Sequence, residues 1–512
     1  MSNDLEKRST KTIKKGAIVA YASVIFSIVS RLIYTPLLIS HLGQVDYGLY
    51  SLGLSLITFL MLDYGLSDTV SRYLSKYRAE GNQEQSGNFL GIIVKLYVFI
   101  DILLIGILFI VFFNLESIYT QLTFEEIQRF KTPFILVASY GVISFAFIPL
   151  NGILLSYEES FLLKICGLFQ KVFLVVFIVV FLFFEQDLYI MILAPIISGL
   201  ILIISKVIVF IRKIDVKINV LFFDLKLFKE ILLFTFWTSI IAVSVRMVPI
   251  LSPSLIGAWV GSVSITIYSI ASGIENYVYT FANAINGMFL PKISRRVIMQ
   301  NGNQLVTDLM IKVGRIVLLI VTPIYIGLLL LGRDFISLWV GNEYALSYYL
   351  LMLILIPGYV YLPQQIGNAV VLAKNKIKHS AIVQLIVFVI FIILSNILMT
   401  RFGVIGIGFS ILISNTIRNI LMNVLFYKYC GINVRRFFAS VHFKFIIQSL
   451  IVTVLSYSSF FLFSGISWMS IVIKGAIIVT LYFLVMWFFG INETEKGFVL
   501  KTMKRIVRKI IS

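Results

Sequence analysis

The 512-residue chain is 59% hydrophobic and 13% charged, against about 25% charged residues in soluble domains, which excludes a soluble enzyme or binding module. Its formal net charge of +19 does not point to nucleic acid, because the basic residues sit in short clusters between apolar runs and not on an interleaved basic and aromatic face. What remains is an integral membrane protein whose chemistry is built from helices and short loops.

A polar N-terminal segment, residues 1–15, is too long before the first apolar run to be a cleaved signal. Runs long enough to cross about 30 Å of hydrocarbon then predict fourteen spans, at 16–40, 47–69, 89–113, 133–156, 161–184, 188–211, 230–256, 262–288, 309–332, 346–372, 379–400, 403–427, 443–464 and 471–490. The even-numbered loops are basic: Arg72, Lys76 and Arg78; Arg212, Lys213 and Lys217; Lys292, Arg295 and Arg296; Lys374, Lys376 and Lys378; Lys428, Arg435 and Arg436. The odd-numbered loops are short or acidic, so the positive-inside rule places both termini in the cytoplasm. The tail, 491–512, carries Val499, Leu500, Met503, Ile506, Val507, Ile510 and Ile511 on one helical face and Lys501, Lys504, Arg505, Arg508 and Lys509 opposite. Such a helix is expected to lie on an anionic inner leaflet, with docking of cytoplasmic glycosyltransferases as the alternative.

The chain repeats itself. LGQVDYGLYSL (42–52) aligns with VGSVSITIYSI (260–270), NGILLS (151–156) with NAVVLA (368–373), and YLSK (73–76) with FLPK (289–292). The expected architecture is an all-α polytopic membrane protein. Two six-helix halves, 16–217 and 218–430, would be related by a pseudo-twofold along the membrane normal, followed by an additional helix pair, 431–490. Parallel halves around a cleft suit alternating access; an ancient duplication without functional meaning is the bland reading.

Charges inside spans are the strongest functional signal. Arg31 and Arg246 lie about 22 Å into their helices at 1.5 Å per residue, beyond reach of the inner surface. Each costs about 2.5–3.5 kcal/mol on insertion scales, so a polar cavity is expected around them, with Pro36, Pro249 and Pro253 positioned to free carbonyls toward it. A buried ion pair is the plainer alternative. Asn415, Arg418, Asn419 and Asn423 fall on one stripe of the twelfth span, and Gln364, Gln365 and Asn368 make a patch on the tenth. Lys171 is a further cavity candidate, whereas Lys95, Lys164 and Lys206 are close enough to the cytoplasmic surface to snorkel. Among acids, Asp101 and Glu275 lie mid-span and are candidates to neutralise an arginine or bind a coupling ion; Asp63 and Asp68 lie lower. A net positive cavity expects an anion, and arginine's planar fork suits phosphate oxygens. Tyr277, Tyr279, Tyr359 and Tyr361 offer rings for sugar stacking or for packing. Cys166 and Cys430 show neither a disulfide pattern nor metal-ligand spacing, and no cofactor is expected. The longest outer loop, about residues 114–132, carries Glu116, Glu125 and Glu126 but is short for a catalytic domain, which weighs against an enzyme.

LGQVDYGLY, LDYGLSDTVSRYLS (62–75), NAVVLAKNK and FGVIGIGFSILIS (402–414) resemble the polysaccharide transport family, the O-antigen and capsule repeat-unit flippases, a branch of the superfamily that includes multidrug extrusion transporters and lipid II flippases. The resemblance implies a V-shaped fourteen-helix fold in a bacterial cytoplasmic membrane. It implies, as partner and cargo, an undecaprenyl-diphosphate-linked oligosaccharide carried from inner to outer leaflet, with polymerase or glycosyltransferases nearby. It also implies cationic cavity residues that hold the diphosphate, for which Arg31 and Arg246 are the matching candidates. A lipid II-type flippase is the near alternative. Multidrug extrusion fits less well, because cationic drugs favour an acidic or aromatic cavity.

Overall fold

The computed structural model describes residues 2–63, 65–184, 187–299, 303–374, 376–461, 465–491 and 496. Side chains are described from residue 19 onward within those ranges, apart from 20, 234–238, 240–245, 285, 287–299 and 303. Among the described residues there is no strand. The helices are α1 (Ser2–Leu60), α2 (Leu66–Ala79), α3 (Gln83–Phe113), α4 (Leu115–Ile118), α5 (Phe124–Ala146), α6 (Pro149–Ser156), α7 (Ser160–Phe184), α8 (Leu188–Lys213) and α9 (Leu225–Trp259). There follow α10 (Ser262–Met299), α11 (Asn303–Trp339), α12 (Leu346–Tyr361), α13 (Ile366–Ala373), α14 (Ile377–Phe402), α15 (Val404–Cys430), α16 (Val434–Phe438), α17 (Lys444–Phe460) and α18 (Trp468–Val485).

Eleven stretches among the described residues are long and apolar enough to cross a membrane. The first of them, Tyr21–Leu60, holds two helices that meet at Gly43, whose φ of 76° and ψ of 178° interrupt the helical path. Only glycine takes such a backbone routinely. The same device recurs at Gly261, φ 119°, between α9 and α10, so the aligned glycines of the two sequence repeats mark aligned breaks. Two more breaks correspond: α5 gives way to α6 just before Asn151, and α12 passes through a short 3-10 turn, Leu362–Gln364, into α13 just before Asn368. Pro149 and Pro363 stand at these breaks, each lacking the N–H that a continuous helix would use. The count of fourteen expected from the sequence is not reached on length and composition among the described residues, and the basic tail lies outside them apart from Ile491 and Lys496.

The helices show the surface of a protein dissolved in lipid. α3 buries Ile93, Tyr97, Asp101 and Leu104 on one stripe and exposes Val98, Ile102, Ile105 and Phe109 on the other. Polar caps set the starts of several helices: Asn82 accepts from the Gln85 N–H at 2.9 Å, Asp224 from those of Lys226 and Leu227, and Thr123 with Glu126 forms a reciprocal capping box.

By internal contact the chain divides into two compact units, residues 1–273 with 378–418, and residues 274–377 with 419–512. In the first, α1 packs on α5, α7, α8 and α9, and α2 on α3, α6 and α9. Its core includes Leu66, Val70, Leu74, Phe89, Phe145, Leu154 and Ile231. In the second, α11 packs on α12, α17 and α18.

Candidate functional site: an arginine-bearing membrane interior

Within the first unit, α1 and α9 lie against one another and carry Arg31 and Arg246. Arg31 is half-buried. Its Nη2 lies 3.9 Å from where a side chain on Gly273 of α10 would begin, and the hydroxyls of Tyr34, Tyr47 and Tyr50 are within its electrostatic reach. Arg246 is exposed, although its neighbours Met247 and Ile250 are buried against Leu62, with Phe59, Leu251 and Phe388 around them. α9 runs unbroken through Pro249 and Pro253, as α1 does through Pro36. Arg31 precedes the Gly43 break by twelve residues and Arg246 precedes the Gly261 break by fifteen, so the two arginines are near-equivalent, displaced by about one helical turn.

Asp68, in the first turn of α2 and exposed, is within electrostatic reach of Arg246. Asp63 stands beside Asp68, accepts from the Ser67 N–H at 3.1 Å, and lies within reach of Lys206 on α8 and Tyr97 on α3. The sequence places this acid pair lower in the second span, toward the cytoplasm, and a linear count along that span does not show that α2 packs on α9. Asp101 is buried on α3 and its Oδ1 has no hydrogen-bond partner. Lys171, on α7, is half-buried and donates to the Ser23 hydroxyl of α1 at 2.9 Å, so it ties two helices together. Asn415 and Arg418 are buried on α15.

The odd-numbered connections of this unit converge. The Arg129 guanidinium pairs with Asp46, Ser262 donates to the Glu126 carboxylate, and Thr266 Oγ1 donates to the Gln44 carbonyl. Thr120 Oγ1 donates to the Ala258 carbonyl at 3.0 Å, and the Tyr119 and Ser254 hydroxyls meet at 3.0 Å. On the opposite side, Tyr73 donates to Glu230 at 2.8 Å; burial and that carboxylate push its hydroxyl up to about 12. There the Arg78 guanidinium lies 3.9 Å above the Tyr157 ring and donates to the Ser156 carbonyl.

In the second unit amides bond to backbone carbonyls and to one another. Asn419 donates to the Pro357 carbonyl at 2.9 Å, and Asn423 back to the Asn419 carbonyl at 2.7 Å. Gln365 Oε1 accepts from Asn286 Nδ2 at 2.8 Å, which also reaches the Leu362 carbonyl at 3.1 Å. Gln364 is buried while Asn368 is exposed, so the expected patch on the tenth span is split across the 3-10 turn between α12 and α13. Glu275 is half-buried within electrostatic reach of Tyr325. Tyr279 and Tyr361 stack with centroids 6.4 Å apart, and Tyr359 meets the Thr322 hydroxyl at 3.2 Å, which places these rings in packing contacts.

One residue escaped the sequence reading altogether. Arg315 of α11 is buried, with Nη1 donating to the Ser440 carbonyl at 2.9 Å and Nη2 to the Gly490 carbonyl at 2.7 Å. Both acceptors lie in π-helical turns, Ala439–Phe443 and Met486–Gly490, where widened winding turns carbonyls outward. About 9 Å into its predicted span, Arg315 reads as an interfacial anchor. Its acceptors are far away in sequence and invisible to any local pattern. Among the described residues no group of three His, Cys, Asp or Glu side chains is placed to hold a metal ion.

Helices throughout the described residues, lipid-exposed faces and a break-matched repeat define the class of polytopic membrane proteins. Residues 13–297 match the family described as polysaccharide biosynthesis protein, more than half of the chain, and the chain belongs to that family. Its fold is shared with a lipid II flippase, MurJ, in an inward closed conformation, at 16% identity and a TM-score of 0.73 over 93% of this chain and 98% of that one. It is also shared with an inward-facing multidrug resistance MATE transporter of the MOP superfamily, at 14% identity and a TM-score of 0.65 over 82% and 99% of the two chains. A third likeness is to a MOP superfamily transporter from Pyrococcus furiosus whose binding pocket is described as reversed in polarity, at 14% identity and a TM-score of 0.58 over 81% and 95%. No curated protein matches the sequence.

Proposed function

We propose that the chain is a flippase that moves an undecaprenyl-diphosphate-linked oligosaccharide from the inner to the outer leaflet of a bacterial cytoplasmic membrane, for assembly of O-antigen, capsule or exopolysaccharide. The carrying observation is the pair of arginines within predicted spans, Arg31 half-buried on α1 and Arg246 exposed on α9, in a member of the polysaccharide biosynthesis family. A diphosphate cannot cross about 30 Å of hydrocarbon unaided. Two guanidinium forks on packed helices supply charge-assisted donors for its oxygens while the polyprenyl tail stays in the bilayer. On this reading both termini face the cytoplasm, the α1 halves, α9 and α10 complete fourteen spans, and no covalent chemistry is performed. Asp101, with its unpartnered buried oxygen, and Glu275 are the candidates for ion coupling. Arg418, Asn415, Asn419, Lys171, Gln364, Gln365 and Asn368 are secondary candidates for the wall of the path. The fold shared with a lipid II flippase supports the alternative cargo, lipid II itself.

The test is mass spectrometry of lipid extracts from a strain lacking this chain. Accumulation of an undecaprenyl-diphosphate oligosaccharide is expected, relieved by the wild type and not by a stably inserted Arg31→Ala/Arg246→Ala double variant. Intact surface polysaccharide with no accumulation refutes the assignment. Full export by the double variant refutes the arginine grip, and loss of viability with accumulated lipid II selects the alternative cargo.

A further inference from the structure

The connection between α8 and α9, residues 214–224, is non-helical and lies as a strap across the start of α3. A Cβ on Gly87 would stand 2.2 Å from the Lys217 carbonyl oxygen, and one on Gly91 1.9 Å from that of Asn219. Two glycines four residues apart thus form a seat that any larger side chain would fill. The Asn219 N–H donates to the Gly87 carbonyl at 3.1 Å, and its Nδ2 to Asn88 Oδ1 at 2.8 Å. One turn further along α3, Lys95 Nζ donates to the Leu221 and Phe222 carbonyls at 3.4 and 3.2 Å and lies 5.3 Å from the centre of the Phe223 ring. The carbonyls of Lys217, Asn219, Leu221 and Phe222 therefore turn inward onto α3.

Gly87, Gly91 and Lys95 fall on the same stripe of α3 as Val98, Ile102, Ile105 and Phe109, at intervals of three or four residues. The last four are exposed and form the lipid-facing side of this span. The strap accordingly crosses the lipid-facing side of α3 at its N-terminal end, where hydrocarbon gives way to headgroups. Its outward face is apolar: Leu221 is 93% exposed, and Ile218, Val220, Phe223 and Leu225 are exposed with it. Around these stand Arg212, Lys213, Lys217, Lys226 and Lys229, all exposed. Of the acids in the same stretch, Asp224 accepts from the Lys226 and Leu227 N–H groups and Glu230 from the Tyr73 hydroxyl, which leaves Asp215 against the five cations.

We propose that the strap is an in-plane anchor whose partner is an anionic phospholipid of the leaflet at the α3 N-terminus. On the topology proposed above this is the inner leaflet; the inference uses that topology and not the cargo. Leu221 and Phe223 enter the boundary of the acyl chains while the surrounding cations take the headgroup phosphate. A backbone already turned to α3 by four of its carbonyls adds little to the cost of leaving water. The link between α8 and α9 is thereby held in the membrane plane by lipid charge.

The experiment uses the full chain in nanodiscs of phosphatidylcholine with phosphatidylglycerol. Cys166 and Cys430, both buried, are replaced by alanine, and a nitroxide is attached at Leu221→Cys or, as a water-exposed reference, at Glu80→Cys. Collision with oxygen and with a nickel chelate reads depth. The nitroxide at 221 is expected to meet oxygen more than nickel, and the one at 80 the reverse. In parallel, native mass spectrometry of the unlabelled wild type is expected to show phosphatidylglycerol retained about tenfold over phosphatidylcholine, and the preference lost in Lys217→Gln/Lys226→Gln/Lys229→Gln. A nitroxide at 221 as open to nickel as the one at 80 overturns the anchor and leaves the ridge to a cytoplasmic protein. Equal retention of the two lipids by the wild type overturns the anionic partner, with no variant needed. A preference kept by the triple variant overturns the role of these lysines. None of these outcomes touches the lipid-diphosphate cargo, which is read by the accumulation assay.

Discussion

Gly48 makes a sharp test of how tightly α1 and α10 are held together. A Cβ at this position of α1 would stand 2.2 Å from the Ser262 carbonyl oxygen, 2.9 Å from its carbon and 3.1 Å from Thr266 Oγ1. Ordinary contact begins at 3.4 Å, and the nearest of these atoms is backbone, so it cannot swing aside. Gly48→Ala must therefore move α1 and α10 apart by about 1 Å, an overpacking strain of about 1–3 kcal/mol. The same displacement weakens the Thr266 and Ser262 hydrogen bonds, at about 0.5–1.5 kcal/mol each. Where the two helices are separated, alanine gains about 1 kcal/mol over glycine in a helix interior. Together these weaken the α1–α10 contact by at least about 3 kcal/mol, or about two orders of magnitude in the population of locally opened chain. Hydrogen exchange of peptides covering 44–50 and 262–270 reads this directly, with Gly106→Ala, whose added Cβ meets nothing within 4 Å, as the control. Faster exchange by about a hundredfold is expected in Gly48→Ala and not in the control. Protection equal to wild type would refute the claim that this close contact holds α1 and α10 together.

Two further outcomes follow from residues outside the candidate site. Replacing Arg315 by methionine leaves the Ser440 and Gly490 carbonyls without their donor, at about 1–3 kcal/mol each, so thermal unfolding in detergent should begin earlier; Arg315→Lys, able to serve fewer acceptors, should fall between methionine and wild type. The Tyr73 hydroxyl, held at about 12 against an ordinary value of 10.0, binds its proton more tightly in the folded chain. Its stabilisation is therefore complete below the ordinary value and is lost between there and about pH 12. Ultraviolet titration should show one phenol fewer ionising near pH 12 in Tyr73→Phe, and an unchanged titration would remove the Tyr73–Glu230 bond from the description.

Periodicity and the glycine-centred repeat carried much of the architecture. Gly43 and Gly261 fall between predicted spans and mark real interruptions, because a positive φ writes itself into a glycine, whereas the breaks before Asn151 and Asn368 lie inside spans expected to run unbroken, 133–156 and 346–372. What stayed hidden is everything decided by which helix lies beside which. Lys171 was legible as an interior cation, but its bond to Ser23 depends on the packing of α7 on α1. Asp68 was legible as an acid, but its proximity to Arg246 depends on α2 meeting α9. Asn368 shares a periodicity with Gln364 and Gln365, yet the turn at Leu362–Gln364 changes the winding between them and separates their faces.

Arg315 also imposes an order in time. Its two carbonyl acceptors are 125 and 175 residues further along the chain, so α11 reaches the membrane well before the ribosome has made the helices that satisfy it. Until then a guanidinium destined for burial must wait at the lipid–water boundary, where partitioning deeper costs about 2.5–3.5 kcal/mol. Biogenesis is thus unfinished until α18 arrives. A nascent chain stopped before that point presents quality control with an arginine still short of its Gly490 acceptor.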